Sequence, residues 1–441
     1  MKKSLIALTL LFGGIYQPIH AQTVNTAKLD SLMDVLAANN KSMGSLAISQ
    51  NGHIIYQKSI GYAAIDSPST IPSTAKTRYR IGSISKMFTG VMIFQLIEQG
   101  KLTLQTTLDK YYPQIPNAGK ITVGMMLNHH SGLHNFTNDP AYLEYMVKPQ
   151  THDQMLTRIA AMKPDFEPGA KGEYSNTNFV LLGYIVEKLT NKPYATAVKS
   201  MVIDKAGLKD TYYGKNINTG NNEALSYTYE GKWKKFVDTD MSIPGGAGGM
   251  VSTPADLDKF IEAIFNGTLV KPASLAQMET LSDRFGMAMF KTPFNDKTGY
   301  GHGGAIDMFR SLVSYFPDQK LAVAYIANGG SYTPEQVLVG VLSIYFKTPY
   351  SIPTFAEVKG ADKYVGVYSS TTIPLKITIT TDGAALFAQA TGQSSFPLDA
   401  AGQPDVFKFD AAGIVMEFHP ATSSFTLKQG GAQYEFTKEQ K

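Results

Sequence analysis

One residue type and several sequence patterns are missing from this chain of 441 residues, and each absence narrows the possible functions. It contains no cysteine, which excludes disulfide bonds, thiolate catalysis and a lipid anchor on an N-terminal cysteine. It also lacks a strong excess of one charge, because 40 basic and 36 acidic side chains leave a formal net charge of +4. No dense run of lysine and arginine occurs, so we expect no nucleic-acid binding.

Long hydrophobic runs are also absent, apart from a short one at the N-terminus. The first residues read MKKSLIALTLLFGGIYQPIHAQ, with two lysines, an apolar run from Leu5 to Tyr16 and the small residue Ala21. A membrane-spanning helix needs about 18 or more apolar residues, which this run does not reach. The pattern predicts a signal peptide over residues 1–21, cleaved after Ala21, and an exported protein, periplasmic or secreted, with no transmembrane segment.

The order of the predicted elements indicates an α+β domain over residues 22–350. The segment LDSLMDVLAAN has helical spacing, and SLAISQNGHIIYQKSIGYA predicts two strands joined at Asn51-Gly52. Helical patterns dominate from about residue 83 to 265. Strand patterns return in LSDRFGMAMF, MFRSLVSYFP and KLAVAYIANG. We therefore expect an antiparallel sheet assembled from both ends of this region, with a helical lobe between them.

The C-terminal part of the chain has a different pattern. The segment KTPYSIPTF carries two prolines and is typical of a linker. Beyond it, YVGVYSS, LKITITTDGAALFAQA, VFKFDAAGIVMEF and SSFTLKQGGAQYEF alternate apolar and polar residues between turn residues. Residues 357–441 are therefore predicted to form an all-β module, a small barrel or a sandwich.

The pattern Ser-x-x-Lys occurs twice within IPSTAKTRYRIGSISKMFTG, and a serine with a lysine three residues later can be a nucleophile with its own base. The two side chains meet only when both lie on one face of a helix. Ser83 opens a helical pattern that ends at Gly100, so Lys86 would lie on its face. Ser73 follows a proline and precedes the strand-like TRYRIG, so Lys76 would point elsewhere. Ser83 is the predicted nucleophile.

Lys86 and a second sequence pattern could supply the partners that a nucleophilic serine needs. At the start of a largely buried helix, the helix dipole and burial both disfavour protonated Lys86, and a neutral lysine can accept the serine proton. The segment GEYSNTNF places Tyr174 and Asn176 before another helix, where they could relay a proton and hold a substrate amide. The simpler interpretation is an aromatic staple and an ordinary helix cap.

The segment GYGHGGAIDMF is the third pattern. Its glycines, Gly304 among them, let a substrate approach a strand closely, so the N–H near Ala305 could complete an oxyanion hole with the Ser83 N–H. A glycine-rich hairpin turn is the alternative interpretation. The nearby Lys297-Thr298-Gly299 follows TPFND, whose residues are typical of turns, and is interpreted as a loop feature.

With RIGSISKMFTG, YSN and HGG in this order, the sequence resembles the serine β-lactamase and penicillin-binding family from about residue 29 to 345. The similarity is greatest to its class C-like branch, which includes D-Ala-D-Ala carboxypeptidases, D-aminopeptidases and esterases. The resemblance implies a β-lactamase/transpeptidase-like fold, an antiparallel sheet flanked by helices with a helical lobe. The terminal module resembles the lipocalin-like barrels attached to some members.

The resemblance also implies the residue roles. Ser83 would be the acylated nucleophile, Lys86 its base, Tyr174 the partner that shares the proton, Asn176 a substrate-amide contact and His302 the third-motif residue facing the substrate. It implies neither cofactor nor metal. The expected substrate is a small molecule or a peptide, a cell-wall peptide among the candidates. A D-Ala-D-Ala carboxypeptidase or D-peptidase is the first expectation, and a class C-like β-lactamase or a carboxylesterase the alternative.

The histidine at the third motif affects how a substrate carboxylate could be recognised, because a histidine near its reference pKa of about 6.5 is mostly neutral at pH 7. Recognition of a substrate carboxylate would then be weak, or would fall to another cation such as Arg310. Efficient β-lactamase activity becomes less favoured, since no motif assigns a dedicated base for deacylation.

Other function classes fit the sequence less well. An α/β-hydrolase would show Gly-x-Ser-x-Gly, which is absent. A zinc site could be imagined from His129, His130 and His134, but Ser131-Gly132 interrupts the helix that such a site needs. A non-catalytic binding or sensor protein on the same fold is disfavoured because every position of the motifs is filled.

Overall fold

The computed structural model describes residues 24–65, 70–355, 358, 360–381, 385–393 and 395–439. The predicted signal peptide, residues 1–21, lies outside the described residues. Within the described ranges, none of the helices has the length and apolar character needed to cross a bilayer.

Helices and strands alternate irregularly along the chain. The helices are α1 Thr26–Ala38, α2 Ser85–Glu98, α3 Val123–Leu127, α4 Tyr142–Tyr145, α5 His152–Ala161, α6 Asn176–Thr190, α7 Tyr194–Val198, α8 Asp204–Ala206, α9 Gly245–Gly248, α10 Pro254–Phe265, α11 Pro272–Glu279 and α12 Pro334–Tyr345. The strands are β1 Ser42–Gln50, β2 His53–Ile60, β3 Tyr62–Ala64, β4 Ile71–Pro72, β5 Tyr79–Arg80, β6 Tyr212–Tyr213, β7 Tyr227–Tyr229, β8 Trp233–Lys235, β9 Met250–Ser252, β10 Phe290–Lys291, β11 Tyr300–Ile306, β12 Phe309–Phe316, β13 Leu321–Gly330, β14 Gly366–Ser369, β15 Lys376–Thr381, β16 Leu386–Ala390, β17 Phe396–Ala400, β18 Val406–Phe409, β19 Ile414–His419, β20 Ser424–Gln429 and β21 Ala432–Lys438.

The central sheet joins the two ends of the first domain, as the sequence predicts. Its order is β10-β11-β12-β13-β1-β2 with antiparallel pairing, and the β7-β8 hairpin attaches to β13. Alternate residues of a strand face opposite sides of a sheet. On β13, Val323 and Tyr325 pack towards α1 and α12, whereas Ala324 and Ile326 pack towards α2 and α10. Helices therefore cover both faces of the sheet.

The helical lobe is built around two buried helices, α2 and α6. Almost every side chain of α2 from Ser85 to Leu96 is buried, and its Phe88 stacks on Phe260 of α10 with ring centroids 3.8 Å apart. A helix that is apolar all round belongs in a protein interior. The N-terminal turn of α2 is consequently fixed by packing on every side.

The strand predicted over LSDRFGMAMF is wrong for most of its length. The structure has a looped segment there, with a single bridge between Ser282 and Phe285, and a strand begins only at Phe290. The apolar side chains of this segment are buried singly against the lobe instead of alternating across a sheet. At Gly286, a Cβ would lie 2.6 Å from the carbonyl oxygen of Met278, so the chain must turn closely there.

Among the described residues, β14 to β21 form a closed barrel in sequence order, with β14 also paired to β21. This decides between the barrel and the sandwich that the sequence left open. The barrel interior holds Ile379, Leu386, Met416, Phe425 and Phe436.

The barrel contacts the first domain at several points. Lys41, at the start of β1, forms an ion pair with Asp399. The side-chain amide of Gln336 donates to the Asp410 carboxylate over 3.1 Å. The rings of Tyr229 and Phe387 lie with centroids 6.2 Å apart. These contacts hold the end of β18 beside the start of α12.

Candidate active site

Ser83 lies in a short 3-10 turn, Gly82–Ile84, that leads directly into α2. Gly82 has a φ of +49°, and a Cβ at this position would lie 2.8 Å from the backbone of Ala305. At Gly304, a Cβ would lie 2.1 Å from the carbonyl oxygen of Ile81. Only glycine permits these approaches. The main chain around Ser83 is thus pressed against β11, as the predicted oxyanion hole requires.

Lys86 is buried, with 0% of its surface exposed, and its Nζ contacts three oxygen atoms. Nζ lies 2.9 Å from Ser83 Oγ, 2.7 Å from Asn176 Oδ1 and 2.8 Å from the carbonyl oxygen of Ala247. The last two can only accept hydrogen bonds, whereas the Ser83 hydroxyl can donate or accept.

Burial lowers the pKa of Lys86 well below its ordinary value. A neutral amine has two N–H donors and one lone pair. The two donors match Asn176 Oδ1 and the Ala247 carbonyl, and the lone pair is left for the Ser83 hydroxyl proton. The geometry therefore suits an amine that removes a proton from Ser83.

Tyr174 reaches the same serine from the segment before α6. Its hydroxyl donates to Ser83 Oγ over 2.7 Å, and its ring stacks on His129 with centroids 4.4 Å apart. Burial raises the pKa of Tyr174, so the phenol keeps its proton. Lys86 Nζ lies 4.9 Å from the centre of the same ring. The predicted triad of Ser83, Lys86 and Tyr174 is brought together.

Asn176 begins α6 and is also part of this cluster. Its Oδ1 accepts from Lys86, and its Nδ2 donates to Thr137 Oγ1 over 3.2 Å. The main-chain N–H of Asn176 donates to Asn135 Oδ1. The side chain borders a cavity at Ser83, so it is accessible to a substrate, but it also orients Lys86.

His302 lies on β11, with 3% of its surface exposed and its ring edge against Phe290 at a centroid distance of 4.8 Å. Burial, and then the nearby charge of Lys86, lowers the pKa of His302 to about 3. The ring is therefore neutral at pH 7. It is not part of the wall of either cavity described below, whereas the neighbouring Gly303 and Gly304 are.

The competing third motif at Lys297 is a loop, as predicted. Lys297 lies in the turn between β10 and β11, and its Nζ contacts the carboxylate of Asp296 at 2.9 Å.

The three histidines considered for zinc have separate partners. His129 Nδ1 accepts from the Ser175 N–H over 3.2 Å, His130 contacts Asp283 at 3.1 Å, and His134 contacts Asp165 at 2.8 Å. In the part of the chain that the structure describes, no cluster of three histidine or acidic side chains suits a metal ion. Burial first, and then Lys86, lowers the pKa of His129, so a neutral ring supports Tyr174.

Two cavities open at Ser83. Cavity one has a volume of about 610 Å³ and borders Gly303, Ser311, Tyr332, Glu335 and Phe409. Cavity two has a volume of about 330 Å³, and its wall combines polar residues such as Asn176 and Thr239 with the larger side chains of Phe136, Tyr142, Leu143, Met146 and Phe236. Ser83, Ala305 and Arg310 border both. A substrate bound at Ser83 can thus extend into either cavity.

Arg310 is the cation at the junction of the two cavities. Its Nη1 donates to the carbonyl oxygens of Asp307 at 3.2 Å and Phe309 at 2.8 Å. Burial lowers the pKa of Arg310 from its ordinary value, although a guanidinium keeps its charge at neutral pH. Arg310 therefore supplies a positive charge on the wall of both cavities.

Sequence reasoning missed several contributors. The Ala247 carbonyl belongs to the glycine-rich IPGGAGGM, and a Cβ at Gly246 would lie 2.7 Å from the Phe179 carbonyl oxygen. That glycine cluster was the available signal. His129, Glu335 and Phe409 carried no such signal, because their positions depend on how distant segments pack.

Comparisons with known proteins identify the family of the chain. The family model described as Beta-lactamase matches residues 29–339. Penicillin-binding protein 4* of Bacillus subtilis (strain 168) is 25% identical, with 92% of this chain and 97% of that protein covered. The D-amino acid amidase from Ochrobactrum anthropi SV3 superposes with a TM-score of 0.64 at 26% identity, covering 74% of this chain and 98% of the other.

A further solved structure matches most of the chain, including the barrel region. The octameric penicillin-binding protein homologue from Pyrococcus abyssi covers 93% of this chain and 99% of its own, with a TM-score of 0.66 at 23% identity. This similarity concerns the fold. Since the family model spans more than half of the residues, the chain belongs to the β-lactamase family and is a serine hydrolase.

Proposed function

We propose that the protein is an exported D-peptidase of the penicillin-binding type that acts through an acyl-enzyme on Ser83. The observation that carries the proposal is the position of Ser83 Oγ, 2.9 Å from the buried Lys86 Nζ and 2.7 Å from the Tyr174 hydroxyl. A serine becomes nucleophilic when an adjacent group accepts its proton, and a buried neutral lysine is such a group.

In the acylation step, Ser83 Oγ attacks the carbonyl carbon while its proton moves to Lys86 Nζ. The negative charge that develops on the carbonyl oxygen is stabilised by the main-chain N–H groups of Ser83 and Ala305. The tetrahedral intermediate then collapses. The bond to the leaving nitrogen breaks, and a proton passes to that nitrogen through Tyr174, which Lys86 reprotonates.

Deacylation follows the same route with water in place of the leaving amine. Water attacks the acyl carbonyl carbon, its proton passes to the Tyr174 and Lys86 pair, and the ester bond to Ser83 Oγ breaks as the serine regains a proton. This balances the cycle without a separate base.

The substrate class follows from the cavities. The aromatic and aliphatic residues of cavity two suit a side chain on one side of the scissile bond, and Arg310 suits a carboxylate of the leaving residue. The neutral His302 supplies no charge for that purpose. The similarity to Penicillin-binding protein 4* supports an activity of the penicillin-binding type, and we propose a cell-wall peptide ending in D-Ala-D-Ala as its substrate. We therefore place the D,D-carboxypeptidase first.

A second candidate is hydrolysis of D-amino-acid amides. Two solved relatives support it, the D-amino acid amidase from Ochrobactrum anthropi SV3 at 26% identity and a D-stereospecific amidohydrolase from Streptomyces sp. at 27%. A β-lactamase, a carboxylesterase and a non-catalytic sensor remain the outcomes that the experiment must separate.

A substrate panel with an active-site probe tests the proposal. The full chain should be labelled at Ser83 by a fluorophosphonate or penicillin probe, and should hydrolyse a D-Ala-D-Ala peptide faster than an L,L peptide, a cephalosporin or an acyl ester. The Ser83→Ala variant should be neither labelled nor active. An unlabelled parent would overturn the mechanism, and preference for the ester or the lactam would overturn the substrate.

Export is a separate part of the proposal, supported by the apolar run between Leu5 and Tyr16 and by Ala21. Expression of the full chain followed by N-terminal sequencing should give a mature protein that begins at Gln22, outside the cytoplasm. Intact Met1 in a cytoplasmic product would contradict it.

A further inference from the structure

The wall of cavity one contains a carboxylate that the mechanism does not use. Glu335, in the first turn of α12, is exposed, and its Oε1 lies 3.8 Å from the place that a Cβ on Gly303 would occupy. Within the described residues, no hydrogen bond or ion pair engages this carboxylate, and its charge acts at longer range on Arg310, on the wall of the same cavity. Glu335 therefore presents its negative charge over β11, in the cavity that also contains Ser83.

Two aromatic rings lie on the same wall. Tyr332 precedes α12, and Phe409 comes from the end of β18 in the barrel. Phe409 is held by a stacked contact with Phe396, whose ring centroid lies 4.8 Å away. A carboxylate and aromatic rings on one cavity wall are a combination that attracts ammonium groups, through charge and through the electron-rich rings.

The two halves of this wall are fixed relative to each other. Gln336, next to Glu335, donates to the carboxylate of Asp410, next to Phe409, over 3.1 Å. Asp410 is in turn paired with Lys408 at 2.8 Å. The barrel is thus attached to α12 beside the residues that border the cavity.

Cavity two, the other cavity at Ser83, has no unpaired carboxylate among the described residues on its wall. The carboxylate of Asp307 borders cavity two, but it is buried and paired with Arg80 at 2.8 Å. It also accepts from the Thr239 hydroxyl over 2.7 Å. Among the described residues that border the two cavities, Glu335 is the carboxylate left without such partners.

We propose that Glu335, with the rings of Tyr332 and Phe409, binds an ammonium group of the substrate in cavity one. The substrate class is then a D-amino-acid amide or short D-peptide that carries a free amine. That amine is either the amino terminus or a side-chain amine. The inference rests on the proposed function, because it requires turnover at Ser83.

Matched substrates that differ in one charge test the inference. We would measure kcat/KM of the parent and of Glu335→Gln for D-phenylalanine p-nitroanilide and for its N-acetyl derivative. Because an exposed carboxylate–ammonium contact is worth about 1 kcal/mol, the variant should lose about fivefold on the free amine. It should keep its rate on the acetylated substrate. Equal losses on both substrates would overturn the inference, and so would the absence of any loss both on free D-phenylalanine p-nitroanilide and on an N-acetyl-D-lysine p-nitroanilide.

A second pair of substrates identifies the source of the amine. N-acetyl-D-lysine and N-acetyl-D-norleucine p-nitroanilides differ only in the side-chain ammonium. Loss on the lysine substrate alone would assign Glu335 to side-chain amines, whereas loss on free D-phenylalanine alone would assign it to amino termini. Both outcomes support the ammonium site.

Two further variants separate the possible failures. Phe409→Ala should reduce the preference for the amine by a smaller factor, about twofold, since the cation–π contribution at an exposed site is below 1 kcal/mol. Glu417→Gln, on the barrel surface and paired with Lys428, should change nothing. If the parent fails to react with the serine probe, the proposed function fails. If the parent reacts but shows no amine preference, only this inference fails.

Discussion

The two Ser-x-x-Lys segments are identical in pattern and ten residues apart, yet the structure gives them opposite surroundings. Ser83 and Lys86 lie on one helical turn with the lysine fully buried and 2.9 Å from the serine hydroxyl. Ser73 follows the two-residue strand β4, and Lys76 lies exposed in a turn. The difference shows that the Ser-x-x-Lys spacing yields a nucleophile and its base only where a helix aligns the two side chains and burial lowers the lysine pKa.

The largest expected effect comes from exchanging the two serines for alanine. Ser83→Ala removes the group that is acylated, so kcat should fall by at least about a thousandfold. Ser73→Ala should leave kcat within twofold of the parent, about the scatter expected of a site outside the chemistry. Steady-state assays with probe labelling measure both. The reverse order of effects would refute the assignment.

Replacing the lysine of each Ser-x-x-Lys segment by methionine tests the same difference between the two segments. Lys86→Met removes the proton acceptor and should lower kcat by about a thousandfold, within the range for a general base. Lys76→Met should have no measurable effect because Lys76 lies in an exposed turn. The labelling rate with a fluorophosphonate reports the same step without turnover. A fully active Lys86→Met variant would require another base.

The same comparison extends to one tyrosine beside each segment. Tyr174→Phe removes the hydroxyl 2.7 Å from Ser83 Oγ and should lower kcat by about a hundredfold. Tyr79→Phe removes a hydroxyl 2.8 Å from Ser45 Oγ, away from the cavities, and should cost about 1 kcal/mol of stability with little loss of activity. Kinetics combined with thermal unfolding separate the two outcomes. Equal kinetic losses would contradict the relay.

The acid limb of the pH profile of kcat/KM should reflect the titration of Lys86 and not that of His302. Activity requires neutral Lys86, so it should rise as pH increases through the lowered pKa of Lys86 and then level off. The pKa of His302 is lowered to about 3, so this residue is already neutral across that range. His302→Asn should therefore leave the shape of the acid limb unchanged. A limb that disappears in His302→Asn would contradict this.

The smallest effect on activity is expected for a buried carboxylate outside the site that has no hydrogen-bond partner in the described part of the chain. Asp258 on α10 is fully buried, and neither carboxylate oxygen has a hydrogen-bond partner among the described residues. Burial raises its pKa well above the ordinary value, so the folded protein holds a proton that the unfolded chain releases. Stability should fall as pH rises from the unfolded pKa of about 4 to the folded pKa, by about 1.4 kcal/mol per pH unit in that interval.

Asp258→Asn removes this titration and leaves the site chemistry intact. Its unfolding temperature relative to the parent should be higher at pH 8 than at pH 5, with kcat unchanged at both. Thermal unfolding at the two pH values is the measurement. A constant difference between the two proteins would mean that Asp258 is ionised in the fold.

Much of the site could be predicted because its residues carry local signals. Ser83 and Lys86 share a helical face, and Tyr174 and Asn176 precede a second apolar helix, so each piece is recognisable before folding. The hairpin at Asn51-Gly52 and the alternation of the barrel strands depend on equally local rules.

The parts that escaped prediction depend on tertiary packing. The Ala247 carbonyl binds Lys86 through the main chain, which any residue type provides. The role of Asn176 as a partner of Lys86 requires α2 and α6 to be side by side. The predicted strand over TRYRIG shortens to Tyr79–Arg80, because the preceding turn folds onto Asn222 instead of pairing in the sheet.

Phe409, which the barrel contributes to cavity one, has a consequence for the order in which the protein acquires its properties as it folds. Domains generally fold as units, the N-terminal one first during synthesis. The cluster of Ser83, Lys86 and Tyr174 belongs wholly to the first domain, whereas cavity one receives Phe409 only when the barrel docks. A chain whose first domain has folded before the barrel docks would therefore be reactive before it acquires its full selectivity.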